Sequence, residues 1–89
     1  MTAVREAKVV NPLGLHARPA AQFVKLASSF GSEIEVSKDS LSVNGKSIMG
    51  VMMLAAECGS TLTLKADGAD AEAAIEALVQ LVAGGFGEL

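Results

Sequence analysis

The stretch from Asn11 to Ala21 restricts the fold more than any other part of the sequence. It reads NPLGLHARPAA and holds both prolines and the only histidine. Pro19 lacks an N–H, so it fits an α-helix only in the first turn, where no intrahelical hydrogen bond is lost. Gly14 allows a tight turn before it. Apolar residues at helical spacing follow: Ala20, Phe23, Val24 and Ala27. The stretch therefore predicts a strand, a turn, and a helix that begins beside His16.

Two registers of this helix start fit the residues. In one, Pro19 is the first helical residue, which is slightly favoured because the residue before a proline avoids helical angles. In the other, His16 is the N-cap, and the N–H groups of Ala17 and Arg18 are free to bind oxygen atoms. In either register the helix start attracts anions. The guanidinium of Arg18 adds a permanent charge suited to phosphate oxygens.

The rest of the chain alternates between strand-like and helix-like patterns. We expect strands over 4–10, 33–37, 41–43 and 61–66, and helices over 17–29, 47–54 and 71–83. Ser47 and Asp70 are expected to cap the second and third helices, and residues 86–89 to form a loose tail. Because the strands keep one polar face, they predict an α+β fold, an antiparallel sheet covered by helices on one side only.

Composition and charge exclude several functions. A chain of 89 residues predicts one domain, spanning 1–89. A net charge of −3 without Tyr or Trp argues against nucleic acid as a partner. One histidine and one cysteine give no metal-ligand spacing, so no metal or cofactor is expected. Cys58 is expected to be a buried or half-buried residue without a role. No apolar run can span a bilayer and no signal region is apparent, which predicts a soluble, cytoplasmic protein without a membrane partner.

Two segments are candidates for function. A neutral imidazole such as that of His16 is a competent nucleophile towards phosphorus, and the phosphoramidate it forms can pass the group onward; the alternative is a polar turn residue that only caps a helix. The segment 47–54 is apolar around nearly its whole circumference, so part of it should be exposed, and its methionines suit docking to several partners. The alternative is an ordinary core helix, with Ser47 as a simple cap.

Two motifs resemble those of HPr, the family of histidine-containing phosphocarrier proteins of the sugar phosphotransferase system. They are Gly14-Leu15-His16-Ala17-Arg18-Pro19-Ala20-Ala21 and Lys46-Ser47-Ile48-Met49-Gly50-Val51-Met52. The resemblance covers essentially the full chain. It implies an open-faced β-sandwich, with three helices on one face of a four-stranded antiparallel sheet. It also favours His16 as the N-cap, although the glycine-rich ending over 84–87 departs from the family's usual charged C-terminus.

The resemblance further implies a covalent phosphoryl carrier that is not itself an enzyme. His16 would accept a phosphoryl group on Nδ1 from enzyme I and pass it to sugar-specific IIA proteins, assisted by Arg18 and by the Ala17 N–H. Ser47 would be phosphorylated by an ATP-dependent kinase/phosphorylase, which alters recognition by partners such as a transcriptional regulator. The docking surface would comprise Ile48, Met49 and Met52, on a monomer.

Two alternatives stay open at this point. One is a nitrogen-related or purely regulatory paralogue within the same family; a regulator without carrier activity would be expected to lose the histidine that this chain keeps. The other is a protein-binding module whose methionines dock a single partner.

Overall fold

The computed structural model describes residues 1–89. The strands are β1 (Thr2–Lys8), β2 (Glu33–Lys38), β3 (Leu41–Asn44) and β4 (Thr61–Asp67). The helices are α1 (Ala17–Ser28), α2 (Ile48–Met53) and α3 (Ala71–Ala83), followed by a short 3₁₀ turn over Gly85–Gly87. The predicted order of elements is confirmed. The largest difference in boundaries is at β1, which begins and ends two residues earlier than predicted.

The four strands form one antiparallel sheet in the order β1-β4-β2-β3. The alternation in β4 explains why only one side of the sheet is covered. Leu62, Leu64 and Ala66 are fully buried beneath the helices, whereas Thr61, Lys65 and Asp67 are exposed on the other side. This arrangement confirms the predicted open-faced sandwich.

The core lies between the sheet and the helical layer. It is a cluster of 21 buried apolar residues, to which α1 contributes Phe23, α2 contributes Val51, and α3 contributes Ile75 and Leu78. Each fully buried side chain of this kind stabilises the fold by about 1.5–3 kcal/mol relative to exposure. The buried side chains of α3 recur every three or four residues, so one face of that helix covers the sheet.

Two local predictions are wrong, and a third is correct only in part. Phe86, predicted in a loose tail, is only 4% exposed and belongs to the core cluster. Cys58, predicted to be at least half-buried, is exposed, because it lies in the surface turn between α2 and β4. Asp70 does occupy the N-cap of α3, but its carboxylate makes no bond to that helix. It accepts instead from the N–H groups of Gly31 (2.8 Å) and Ser32 (2.9 Å) and from the Ser32 hydroxyl.

None of the helices combines the length and apolarity needed to cross a membrane. The structure also brings together no group of three His, Cys, Asp or Glu side chains that could hold a metal ion.

Candidate functional site at the start of the first helix

The start of α1 follows the second of the two registers considered. His16 is the N-cap, with extended backbone angles (φ −78°, ψ −172°), and its carbonyl accepts the first intrahelical hydrogen bond from the Ala20 N–H (3.0 Å). Pro19 is therefore the third helical residue. The N–H groups of Ala17 and Arg18 have no partner within the helix. Both residues are exposed, so these amides can meet an anion from solvent.

The turn before His16 is tightly fixed. Asn11 is fully buried, and its side-chain amide donates to the Gly14 carbonyl (2.7 Å). The next N–H, from Leu15, donates to the Ala56 carbonyl in the loop after α2 (2.8 Å). Gly14 has φ +70°, and a β-carbon there would lie 2.6 Å from that same carbonyl oxygen. Only glycine fits this close approach, which holds the backbone that carries His16.

Sequence reasoning missed one residue of the site, Glu88. Its two carboxylate oxygens lie 3.1 and 3.0 Å from Nε2 of His16, and one of them also accepts from the Asn11 amide (2.9 Å). The His16 side chain is 37% exposed and that of Glu88 is 17% exposed. The only signal in the sequence is the hydrophobic Phe86 between two glycines, which anchors the segment just before Glu88.

The charge state of this pair follows from its contacts. The hydrogen bond with His16 is the main cause that lowers the pKa of the Glu88 carboxyl; the Asn11 amide and the positive charge of Arg18 act in the same direction. An ionised carboxylate only accepts hydrogen bonds, so Nε2 of His16 must carry the proton that is donated. In the neutral ring, Nδ1 then bears the lone pair, and it makes no hydrogen bond within the chain.

Arg18 lies on the same side of the site as Glu88. It lines an open groove between the 12–13 turn and the C-terminal turn, together with Leu13, Phe86 and Glu88. Its guanidinium forms no ion pair in the structure. The start of α1 thus combines exposed amides, a free guanidinium and an imidazole with an available nitrogen, a set that can accept a phosphoryl group.

The second predicted segment forms α2 and is largely exposed. Ile48 and Met52 are close to half exposed and Met49 is 76% exposed, whereas Val51 and, just after the helix, Leu54 are buried in the core. Ser47 caps the helix as predicted, since its hydroxyl accepts from the Gly50 N–H (3.1 Å). The exposed apolar side chains suit protein docking.

Sequence reasoning missed two residues near these two segments. Leu13 is also an exposed apolar side chain, and Met53, which belongs to the predicted apolar segment, is exposed as well. Lys38 donates to the carbonyls of Leu54 (3.3 Å) and Ala55 (3.4 Å) at the C-terminal end of α2, where a positive charge is favourable.

Comparison with known proteins shows close relatives. The family model for the "PTS HPr component phosphorylation site" matches residues 3–84. The phosphocarrier protein HPr of Cupriavidus necator is 50% identical over 84 residues, which cover 94% of each chain. The crystal structure of HPr-C-His from Thermoanaerobacter tengcongensis superposes with a TM-score of 0.93, at 49% identity and 98% coverage of both chains. An HPr dimer from the same organism gives a TM-score of 0.78, at 56% identity, with 84% of this chain and 86% of that one covered.

Proposed function

The chain belongs to the HPr family of phosphocarrier proteins of the phosphotransferase system, and we propose on this premise that His16 carries a phosphoryl group between two proteins. It accepts the group on Nδ1 from enzyme I and passes it to sugar-specific IIA proteins. The observation that supports this most is the unbonded Nδ1 of a partly exposed imidazole, beside the free amides at the start of α1.

The transfer step uses the groups around His16. The Nδ1 lone pair forms the new bond to phosphorus, and the electron pair of the broken bond leaves with enzyme I. The N–H groups of Ala17 and Arg18 and the Arg18 guanidinium then meet the phosphoryl oxygens. Exposed interactions with a helix terminus contribute only about 0.3–1 kcal/mol. The phosphoryl group is therefore held weakly enough to be passed on.

The exposed side of α2 is proposed as the docking surface for enzyme I and IIA proteins. Ile48, Met49 and Met52 present apolar, flexible side chains to solvent, and such side chains can adapt to more than one partner. A carrier needs this property because it binds a donor and several acceptors in turn.

Phosphorylation of Ser47 is proposed as the regulatory input, by a kinase/phosphorylase of the HPr type. A phosphate there adds about −1.5 to −2 charge at the N-terminus of α2, next to the docking residues. The charge is compatible with the helix end, so it changes recognition without unfolding α2. It weakens docking to enzyme I and creates a site for a transcriptional regulator. A Ser47→Asp variant that accepts phosphate from enzyme I at the wild-type rate would contradict this.

We further propose that residues 1–89 act as a single, monomeric, cytoplasmic carrier domain. Neither nucleic acid nor membrane is a partner in this proposal. Since one solved relative is described as a dimer, sedimentation at working concentration tests the monomer directly; a stable dimer would contradict it.

The proposed relay is tested with phosphoenolpyruvate, enzyme I and intact mass. The wild-type protein should gain one acid-labile, base-stable phosphoryl group, and His16→Ala should gain none. Ser47→Ala is the matched control and should still be labelled. Labelling of His16→Ala at another residue would overturn the assignment to His16. No gain in the wild type would favour a protein-binding module that uses only the exposed side of α2.

A further inference from the structure

The C-terminal turn is built to bring a carboxylate to His16. Gly85, Phe86 and Gly87 all have positive φ angles, of +66°, +56° and +75°. A positive φ is uncommon for a residue other than glycine. Phe86 is held in this conformation because its ring is buried in the core. The N–H of Glu88 closes the turn on the Gly85 carbonyl (2.9 Å). The position of Glu88 is therefore determined by packing, and the segment is not a free tail.

A second tie joins Glu88 to the turn that precedes His16. The Asn11 amide donates both to the Gly14 carbonyl (2.7 Å) and to Glu88 Oε1 (2.9 Å). Since both partners are acceptors, the NH₂ group of Asn11 must face them, which leaves its Oδ1 without a hydrogen-bond partner. Asn11 is fully buried. It thus couples the backbone before His16 to the carboxylate on the ring.

From this geometry we propose that Glu88 is the positioning residue of the carrier: it holds the proton on Nε2 of His16, so that Nδ1 is the only ring nitrogen available to phosphorus. The inference rests on the proposed phosphoryl transfer and adds a residue to it. Both carboxylate oxygens lie within 3.1 Å of Nε2, whereas Nδ1 has no partner in the chain. A carboxylate also orients the histidine of a Ser-His-Asp triad, although there it binds the Nδ1–H and leaves Nε2 available.

The contact between Glu88 and Nε2 also places a carboxylate opposite the positive charge that develops on the ring during transfer. When the Nδ1 lone pair bonds to phosphorus, the bond from phosphorus to the donor breaks and its electron pair stays with the donor. The Nε2 proton does not move, so the ring becomes positively charged opposite the carboxylate of Glu88. In the reverse direction, the electron pair of the N–P bond returns to Nδ1 and a neutral imidazole leaves. Without the Nε2 proton, the leaving group would be an imidazolate, which is a much poorer one.

The test compares Glu88→Ala and Glu88→Gln with Glu6→Gln. Glu6 is exposed on β1 and makes no hydrogen bond or ion pair through its side chain, so its substitution controls for the loss of one negative charge.

The first measurement needs no enzyme I. Long-range ¹H–¹⁵N spectra in alkaline buffer, where histidine is neutral, report which ring nitrogen carries the proton. The wild type and Glu6→Gln should show it on Nε2 alone, and Glu88→Ala should show both ring nitrogens shifted towards an average of the two tautomers.

The second measurement is the steady-state rate of phosphorylation by enzyme I. Loss of a partly exposed, charge-assisted hydrogen bond at the reacting ring should lower kcat about tenfold in Glu88→Ala, with KM nearly unchanged. Glu88→Gln keeps an acceptor oxygen without the charge and should lie between Glu88→Ala and the wild type. It also keeps the test valid if the alanine variant folds poorly.

The outcomes separate this inference from the proposed function. The inference is overturned by an unchanged ring spectrum in both Glu88 variants, or by an unchanged rate of phosphorylation by enzyme I. In either case the carrier function still stands as long as His16 is labelled. If the wild type is not phosphorylated at all, the proposed function fails and the inference about transfer fails with it. The ring spectrum would then still show whether Glu88 fixes the tautomer.

Discussion

Gly14→Ala should destabilise the fold strongly, because the site depends on a backbone contact that only glycine permits. The φ of Gly14 is +70°, and left-handed backbone costs about 1–2 kcal/mol for a residue with a β-carbon. That β-carbon would also lie 2.6 Å from the Ala56 carbonyl oxygen and 2.9 Å from the Glu57 α-carbon. Both are backbone atoms and cannot rotate away, so overpacking adds about 1–3 kcal/mol. Together these predict a loss of about 2–5 kcal/mol.

Thermal unfolding followed by circular dichroism measures this loss. For a domain of this size, each kcal/mol lowers Tm by about 4–8 °C, so the predicted loss of stability corresponds to a decrease of about 8–40 °C. Gly59→Ala is the matched control, since Gly59 also has positive φ (+96°) but nothing lies within 4 Å of its would-be β-carbon. Gly59→Ala should therefore lose only the stability that left-handed backbone costs a residue with a β-carbon, about 1–2 kcal/mol. If the two variants lose equal stability, the argument that the Gly14 contact fixes the turn before His16 is refuted.

Three further predictions concern the cap of α2, the loop after α1 and the docking surface. Ser47→Ala should cost about 1 kcal/mol in urea unfolding, because the Gly50 N–H loses its acceptor. The Ser32 hydroxyl is the main cause that lowers the pKa of the Asp70 carboxyl in the folded protein. Ionised Asp70 therefore stabilises the fold at any pH above its unfolded pKa of about 3.9. This stabilisation is lost as the pH falls through the lower pKa of the folded state. Asp70→Asn should therefore be less stable than the wild type at neutral pH, with a difference that shrinks in acid; a constant difference would contradict this assignment. Met49→Asp should change stability by less than about 0.5 kcal/mol, since the residue is exposed, yet raise the KM for phosphorylation by enzyme I; an unchanged KM would remove Met49 from the docking surface.

The features that the sequence predicted correctly are those determined by local pattern. The alternation in residues 61–66 determines which face of the sheet is buried, and the missing N–H of Pro19 restricts it to the first helical turn. Ser47 caps α2 because a serine before an apolar segment offers its hydroxyl to the next turn. These features depend on neighbours a few residues away, so they can be read without the tertiary structure.

The features that were missed depend on contacts between distant parts of the chain. Glu88 meets His16 across 72 positions, and Asp70 meets Ser32 across 38. Phe86 looks like part of a flexible ending because glycines flank it, but the same glycines allow the left-handed turn that buries its ring. No pattern in the sequence indicates where such a turn docks. The residue proposed to orient His16 therefore became visible only once the sheet and helices had been assembled.

The proposed role of His16 is tested most directly by the nitrogen–phosphorus coupling in the phosphorylated protein. The ¹⁵N-labelled chain is treated with phosphoenolpyruvate and enzyme I, and the ring nitrogens of His16 are examined for splitting by ³¹P. We predict splitting of Nδ1, with the proton retained on Nε2. Splitting of Nε2, or phosphate found on another residue with both ring nitrogens unsplit, would contradict the account.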